Sequence, residues 1–172
     1  MTPDRITLMD DLDASFHLPV SQVPVAHYDE DQEGYDETYE LQGKDWSELT
    51  VADFNSHPYC FSFLSGGAFG YYFGAMMHAS LKEEIYEIRA LENLLIVWED
   101  IDVSEFLDAH EIPDRLPSRF AESIASSVSG GRLSLIKKYF NFRRSHGILC
   151  DCEAIDAFLL CLEIAVKNLN SK

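Results

Sequence analysis

The chain has 172 residues, of which 47% are hydrophobic and 12% are aromatic, so it can bury a core and differs from a disordered acidic tail. It carries 30 acidic and 13 basic side chains, a formal net charge of −17. Such a field repels nucleic acids and anionic membranes and attracts basic proteins. Residues 1–60 hold 14 acidic and 2 basic residues, a net charge of −12, so the excess lies towards the N-terminus.

The chain begins MTPDRITLMDDLD, without the basic segment and apolar run of a secretory signal. The longest apolar run, near residues 94–98, is far too short to span a bilayer. We therefore expect a cytoplasmic protein in which the four cysteines are free thiols.

The first helical pattern starts at the N-terminus. Thr2 is a candidate cap, Pro3 suits the first helical position, and apolar residues recur at helical spacing up to Phe16. Two prolines then interrupt the pattern, so residues 1–27 are predicted to form an N-terminal helix and linker.

Residues 28–172 are predicted to form the main body of a single domain. It begins with a short helix over about 31–42 that ends at Gly43. Thr50 and Asp53 have the spacing of a capping box at the start of another helix. The aromatic stretch 59–64 is either a short strand or the approach to a helix.

The remaining patterns are also helical. The segment AFGYYFGAMMHASL after Gly67 is apolar almost all round, which is typical of a buried helix. Further helices are predicted over 83–98, 118–128, the stretch between Gly131 and Gly147, and 151–169. No long alternation of period two occurs, so the fold class is all-α, a compact helical bundle over residues 1–172.

An acidic segment with interleaved tyrosines follows the linker. Tyrosine is favoured at interfaces, and carboxylates around it can pair with lysine or arginine of a partner. The alternative is a solvated helix with its tyrosines turned inward. The candidate partner-binding residues are Tyr28, Asp29, Glu30, Asp31, Glu33, Tyr35, Asp36, Glu37, Tyr39 and Glu40.

Motifs for catalysis or metal binding are weak. His146, Cys150 and Cys152 form a metal-like group, but a structural zinc site normally needs four ligands. Glu99 and Asp102 could hold a hard cation, although the spacing is not that of a calcium loop. We expect no catalytic residue, no metal and no cofactor. A small metal-dependent hydrolase using these residues is the alternative.

One stretch is locally basic and aromatic, like a nucleic-acid patch. Its basic residues are Arg132, Lys137, Lys138, Arg143 and Arg144. The overall negative charge opposes nucleic-acid binding. An internal role, offsetting the repulsion within the acidic part, or a contact in an oligomer is therefore favoured.

Several motifs resemble an uncharacterised family of small acidic bacterial proteins. They are GKDWSEL at 43–49, FSFLS at 61–65, AFGYYF at 68–73 and Arg119-Phe120. The resemblance spans about 29–142. The chain departs from the family pattern at Phe73-Gly74, where the family has Leu-Pro, and in a long insert near 82–110. The resemblance implies no reaction, and some proteins of this type look like immunity proteins encoded beside toxins.

We therefore expect a non-enzymatic immunity protein that neutralises a basic toxin, such as a nuclease, by covering its active cleft with an acidic face. An acidic DNA mimic that inhibits a host DNA-binding protein is a further alternative with the same surface.

Overall fold

The computed structural model describes residues 3–19, 22, 34–64, 66–98, 116–148 and 152–171. Within these ranges the regular structure is helical and no strand is present, which confirms the all-α prediction. The chain divides into two compact units, unit 1 (Met1–Leu94) and unit 2 (Leu95–Lys172). The prediction that 1–172 is one domain stays a prediction.

In unit 1 the helices are α1 (Pro3–Phe16), α2 (Tyr35–Thr38), α3 (Val51–Ser56), α4 (Cys60–Phe63) and α5 (Gly66–Glu83), and a 3-10 turn (Tyr39–Leu41) continues α2. Next come α6 (Arg89–Ile96), α7 (Leu116–Ile124), α8 (Gly131–Ser145) and α9 (Cys152–Asn170). Among the helices in the described ranges, none combines the length and apolarity that a membrane span requires.

Two predicted helix boundaries are confirmed by their local chemistry. The backbone N–H of Thr50 donates to Asp53 Oδ2 at 2.8 Å and the N–H of Asp53 donates to Thr50 Oγ1 at 3.3 Å, a complete capping box. Gly147 ends α8 with a φ of 67°, and the N–H of Ile148 donates back to the carbonyl of Arg143. A glycine suits this position because the left-handed conformation strains other residues.

The strand considered at 59–64 is wrong. Residues Cys60–Phe63 form one helical turn, closed by a 3.0 Å hydrogen bond from the N–H of Leu64 to the carbonyl of Cys60. The turn places Phe61 against Phe54, with ring centroids 5.9 Å apart. Burial of Phe61 therefore decides the local conformation, since β-propensity is a weak preference that packing overrides.

The predicted helix over 83–98 is shorter at its start. α5 continues to Glu83, Glu84 takes a φ of 59°, and α6 begins only at Arg89. The buried guanidinium of Arg5 forms an ion pair with Glu84, and the side chain of Asn55 accepts from the N–H of Arg89 at 2.8 Å. Tertiary contacts thus create a helix end that the apolar spacing does not reveal.

The core of unit 1 is built around α5, whose buried residues lie on all sides as predicted. α1 and α3 pack on it. At Gly74 a Cβ would lie only 2.5 Å from Phe16 Cβ and 2.9 Å from the Trp46 ring. Glycine there lets α1 approach α5 closely, so α1 is part of the core of unit 1.

The core of unit 2 lies between α9 and the two helices before it, α7 and α8. Phe158 contacts Trp98 and Phe140, with ring centroids 5.4 Å and 6.4 Å away. Two ion pairs, Lys137 with Glu163 and Arg144 with Asp156, connect α8 to α9. The predicted periodic final helix is confirmed as α9.

Candidate partner-binding surface

The position of α2 depends on Gly34, the residue that precedes the helix. Gly34 has a φ of 96° and lies against the ring of Phe63, where a Cβ would be 2.4 Å from Phe63 Cγ. Thr38 is buried, and its hydroxyl donates to the carbonyl of Gly34 at 3.0 Å. Gly34 thus allows α2 to lie close to α4, and the Thr38 hydroxyl closes the turn of α2 on Gly34.

This position aligns two of the predicted tyrosines. Tyr35 and Tyr39 lie one helical turn apart, and their rings stack with centroids 4.8 Å apart at 26°. Tyr39 is 56% exposed although it is a large aromatic side chain. The stack restricts the rotamers of Tyr39, so a partner would meet a ring that is already ordered.

The carboxylates of α2 have different surroundings. Asp36 is exposed. Glu37 is half-buried and its Oε2 accepts from the backbone N–H of Tyr59 at 2.9 Å. Glu40 Oε2 lies 3.3 Å from Nε2 of His57, while its side chain stays 69% exposed. Asp36 and Glu40 thus present their charge to solvent, whereas Glu37 is used to hold the turn before α4.

Sequence reasoning missed Tyr59, the residue that Glu37 holds. Its side chain is 54% exposed, in the turn between α3 and α4. The aromatic stretch 59–64 predicts either a short strand or the approach to a helix, and neither alternative indicates whether Tyr59 is exposed. Only the hydrogen bond from its backbone to Glu37 shows that it lies beside α2.

These residues form one continuous group, which we call the α2 surface: Tyr35, Asp36, Glu37, Tyr39, Glu40, His57 and Tyr59. The other predicted partner-binding residues, Tyr28, Asp29, Glu30, Asp31 and Glu33, lie outside the described residues. The structure therefore brings the second half of the predicted segment together with two residues from the turn after α3.

The candidate metal ligands do not form a site in the described residues. His146 stacks on Phe142 at 4.1 Å, and its Nδ1 lies 2.9 Å from the carbonyl oxygen of Phe142. Cys152 is exposed at the start of α9, whereas Cys150, Glu99 and Asp102 lie outside the described ranges. Where the structure describes the chain, no group of three or more His, Cys, Asp or Glu side chains could hold a metal ion.

Two cysteines lie in the cores. Burial, followed by the nearby charge of Glu37, raises the pKa of the Cys60 thiol well above its usual range. Burial also raises the pKa of Cys161 to about 12. Both therefore stay protonated at neutral pH and are poor nucleophiles, because the thiolate is the reactive form.

The basic cluster is engaged within unit 2. Arg143 is buried and donates to the hydroxyl of Tyr139 at 3.2 Å, and Arg132 donates to the carbonyl of Ser127 at 3.0 Å. Lys137 and Arg144 form the two ion pairs with α9. The cluster thus has partners on α9 and in its own surroundings, and the hypothesis that it offsets the repulsion within the acidic N-terminal part stays a prediction.

Compared with known proteins, the chain matches no family model, and no curated protein or solved structure is significantly similar to it. The resemblance to small acidic bacterial proteins stays a prediction. The function is therefore argued from the α2 surface.

Proposed function

We propose that this protein is a non-enzymatic binding protein whose α2 surface docks onto a basic protein. In its most concrete form the proposal is an immunity protein that neutralises a basic toxin, such as a nuclease, by covering the toxin's active cleft.

Two exposed tyrosines on neighbouring elements, one with its ring held by stacking and one with its backbone held by Glu37, are the observation that carries the proposal. Tyr39 and Tyr59 are 56% and 54% exposed, yet Tyr39 is stacked on Tyr35 and the backbone of Tyr59 is bound by Glu37. Tyrosine side chains often contribute most of the binding energy in interfaces. Ordering them before binding lowers the entropy lost on association.

Charge supports the same partner chemistry. Unit 1 holds 18 acidic and 4 basic residues, a net charge of −14, against −3 for unit 2 with 12 acidic and 9 basic residues. Asp36 and Glu40 are exposed and directly follow Tyr35 and Tyr39 in the sequence of this strongly negative unit. A negative rim around aromatic anchors attracts a basic protein and accelerates its encounter.

The mechanism is occlusion in two steps. The field of unit 1 first attracts the cationic cleft, in which lysine and arginine normally bind phosphates. Asp36 and Glu40 then engage those cations, and Tyr39 and Tyr59 bury their rings against the walls of the cleft. A nuclease in this state cannot admit nucleic acid, because the carboxylates occupy the positions of the phosphates.

The experiment compares retention of proteins from a lysate of the source cells on immobilised variants at low salt, followed by a salt gradient and mass identification. One variant, Tyr39→Ala with Tyr59→Ala, removes the rings. A second, Asp36→Lys with Glu40→Lys, reverses two surface charges. Its control, Glu87→Lys with Glu122→Lys, makes the same change in net charge at exposed positions elsewhere.

We expect a basic protein to be retained by the wild type and the control and to be lost from the tyrosine variant. With the purified partner, Tyr39→Ala should raise Kd about 10-fold or more, the effect of losing one interface anchor. The charge reversal should mainly slow association. Equal retention by the tyrosine variant and the wild type would contradict the proposed surface.

The identity of the retained protein tests the finer proposal. A toxin whose activity is inhibited at stoichiometric ratio supports the immunity protein. A DNA-binding host factor retained with the same dependence on Tyr39 would instead make the protein a DNA mimic.

A further inference from the structure

His17 follows the last residue of α1 and is placed between two carboxylates. Its Nδ1 lies 3.3 Å from Asp13 Oδ1, and its Nε2 lies 3.4 Å from Asp45 Oδ2. Asp13 belongs to α1, whereas Asp45 belongs to the turn that carries Trp46. One imidazole therefore connects the end of α1 to the turn that covers α5.

The protonation state decides whether both contacts are favourable. A neutral imidazole has one N–H and one lone pair, so it can donate to only one of the carboxylates. The lone pair of its other nitrogen then faces the lone pairs of the second carboxylate, which is unfavourable. The imidazolium ion has two N–H groups and can donate to Asp13 and Asp45 at the same time.

Two further features favour the charged ring. His17 lies at the C-terminal end of α1, whose last turn contains no basic residue, and a cation there interacts well with the helix dipole. The ring also stacks on Trp46, with centroids 5.5 Å apart at 29°. A positive charge over an indole face is attracted by the ring electrons.

A second histidine lies on Trp46 from the side of α5. His78 is 5.5 Å from the Trp46 ring, and burial lowers its pKa. The charged or titratable groups that act on it are Asp13 and Asp10 on α1, Lys82 on α5, and His17. Burial therefore favours neutral His78, whereas His17 is the ring that faces the two carboxylates.

We propose that His17 is a pH-dependent clamp that holds the end of α1 to the Asp45–Trp46 turn and tightens when the imidazole takes up a proton. The proposal concerns the stability of unit 1 and does not depend on the proposed binding function. A contact that needs the protonated ring contributes at low pH and is lost as the pH rises. Histidine changes charge within the range pH 5 to 8, so the clamp responds to mild acidification.

The test measures urea unfolding of the full chain at pH 8 and pH 5.5 for the wild type, His17→Gln and Asp13→Asn. His146→Gln is the matched control, because His146 is exposed and its ring contacts are to the end of its own helix. The folding equilibrium constant of the wild type relative to His17→Gln should be roughly two- to five-fold larger at pH 5.5 than at pH 8, the size of a partly exposed ion pair.

In the Asp13→Asn background, the change in stability between pH 8 and pH 5.5 that depends on His17 should be about half as large. The reason is that the asparagine amide can pair with a neutral imidazole. His146→Gln should show only the smaller pH dependence that the dipole of α8 gives to a ring at its C-terminal end. A pH-independent ratio between the wild type and His17→Gln would overturn the clamp, even if His17→Gln is less stable at every pH.

Fluorescence gives a local readout that general destabilisation would not produce. In a Trp98→Phe background the emission comes from Trp46, and an imidazolium stacked on indole quenches it more than neutral imidazole does. Falling pH should quench the folded protein, and His17→Gln should abolish most of that change. Equal quenching with and without His17→Gln would assign the quenching to His78 and contradict the role of His17.

Discussion

The carboxylates of unit 1 and of unit 2 are bound by different kinds of donor. In unit 1 many acidic side chains accept from backbone N–H groups, as Glu37 does from Tyr59 and Glu83 from Val51. In unit 2 the acids Glu163 and Asp156 pair with Lys137 and Arg144. A unit with 4 basic and 18 acidic residues has few cations for pairing, so the backbone supplies the donors.

The difference has a physical consequence. Hydrogen bonds from N–H groups to carboxylates are short-range and depend little on salt, whereas exposed ion pairs are screened by it. We therefore expect the hydrogen-bonded carboxylates of unit 1 to respond to acid and the exposed ion pairs of unit 2 to respond to salt. The following substitutions test this contrast.

The largest effect is expected at the one buried cation of unit 1. Arg5 is 7% exposed in its side chain and is paired with Glu84, which is 61% exposed. Glu84→Gln leaves the buried guanidinium without a counter-charge and should lower the free energy of unfolding by about 1–2 kcal/mol, discounted for the exposure of Glu84. Urea unfolding at pH 7 measures it.

The matched variant is Glu84→Gln combined with Arg5→Met. It should regain part of the stability, because methionine fills the site without needing a partner. The cost of Arg5→Met is measured twice, once in the wild type and once in Glu84→Gln. Equal costs in the two backgrounds would mean that Arg5 and Glu84 are not coupled, and the interpretation would fail.

An intermediate effect is expected at the capping box of α3. Although burial opposes it, hydrogen bonds from Lys44 and Thr50 lower the pKa of Asp53. A lowered carboxyl pKa contributes stability above the unfolded-state value, and that stability is lost as the pH falls through the folded-state value. Asp53→Asn should therefore cost about 1 kcal/mol at pH 7, and the difference from the wild type should shrink as the pH falls below the ordinary aspartate pKa of about 3.9.

Salt separates the contributions at this site. Raising NaCl from 0.05 to 1 M should weaken the contact with Lys44 and leave the capping bonds with Thr50 intact. Thr50→Ser keeps a hydroxyl cap and is the control. A cost of Asp53→Asn that disappears entirely in high salt would show that the Lys44 pair alone accounts for it.

The smallest effect is expected in unit 2. The pair of Arg144 and Asp156 is 30% and 57% exposed. Arg144→Met should lower the free energy of unfolding by only about 0.5 kcal/mol, and most of that should disappear at 1 M NaCl. A larger and salt-independent loss would mean that packing of the Arg144 stem, rather than its charge, holds α8 to α9.

Much of the fold follows from local chemistry that the sequence displays. The proline at the start of α1, the capping pair Thr50 and Asp53, and the glycine after α8 each act within a few residues, so their positions predict helix boundaries. The end of α5 does not follow in this way. Glu84 adopts a conformation typical of glycine, and its partner Arg5 is 79 positions away in the sequence.

The candidate site shows the same limit. Tyr35 and Tyr39 are four residues apart, the spacing of one helical turn, and in the structure their rings stack. The local pattern does not show that Glu37 turns to the backbone of Tyr59, because that contact depends on how α2 packs against α4. Tyr59 therefore becomes visible as a surface residue only in three dimensions.

The close approach of α1 to α5 at Gly74 also has a consequence for the synthesis of the chain. Gly74, against which Phe16 packs, is synthesised 58 residues after Phe16. At typical translation rates this delay is about 3–12 s. During it the apolar side of α1 has no native partner, so a nascent chain stalled before α5 should be a better chaperone substrate than one stalled beyond it.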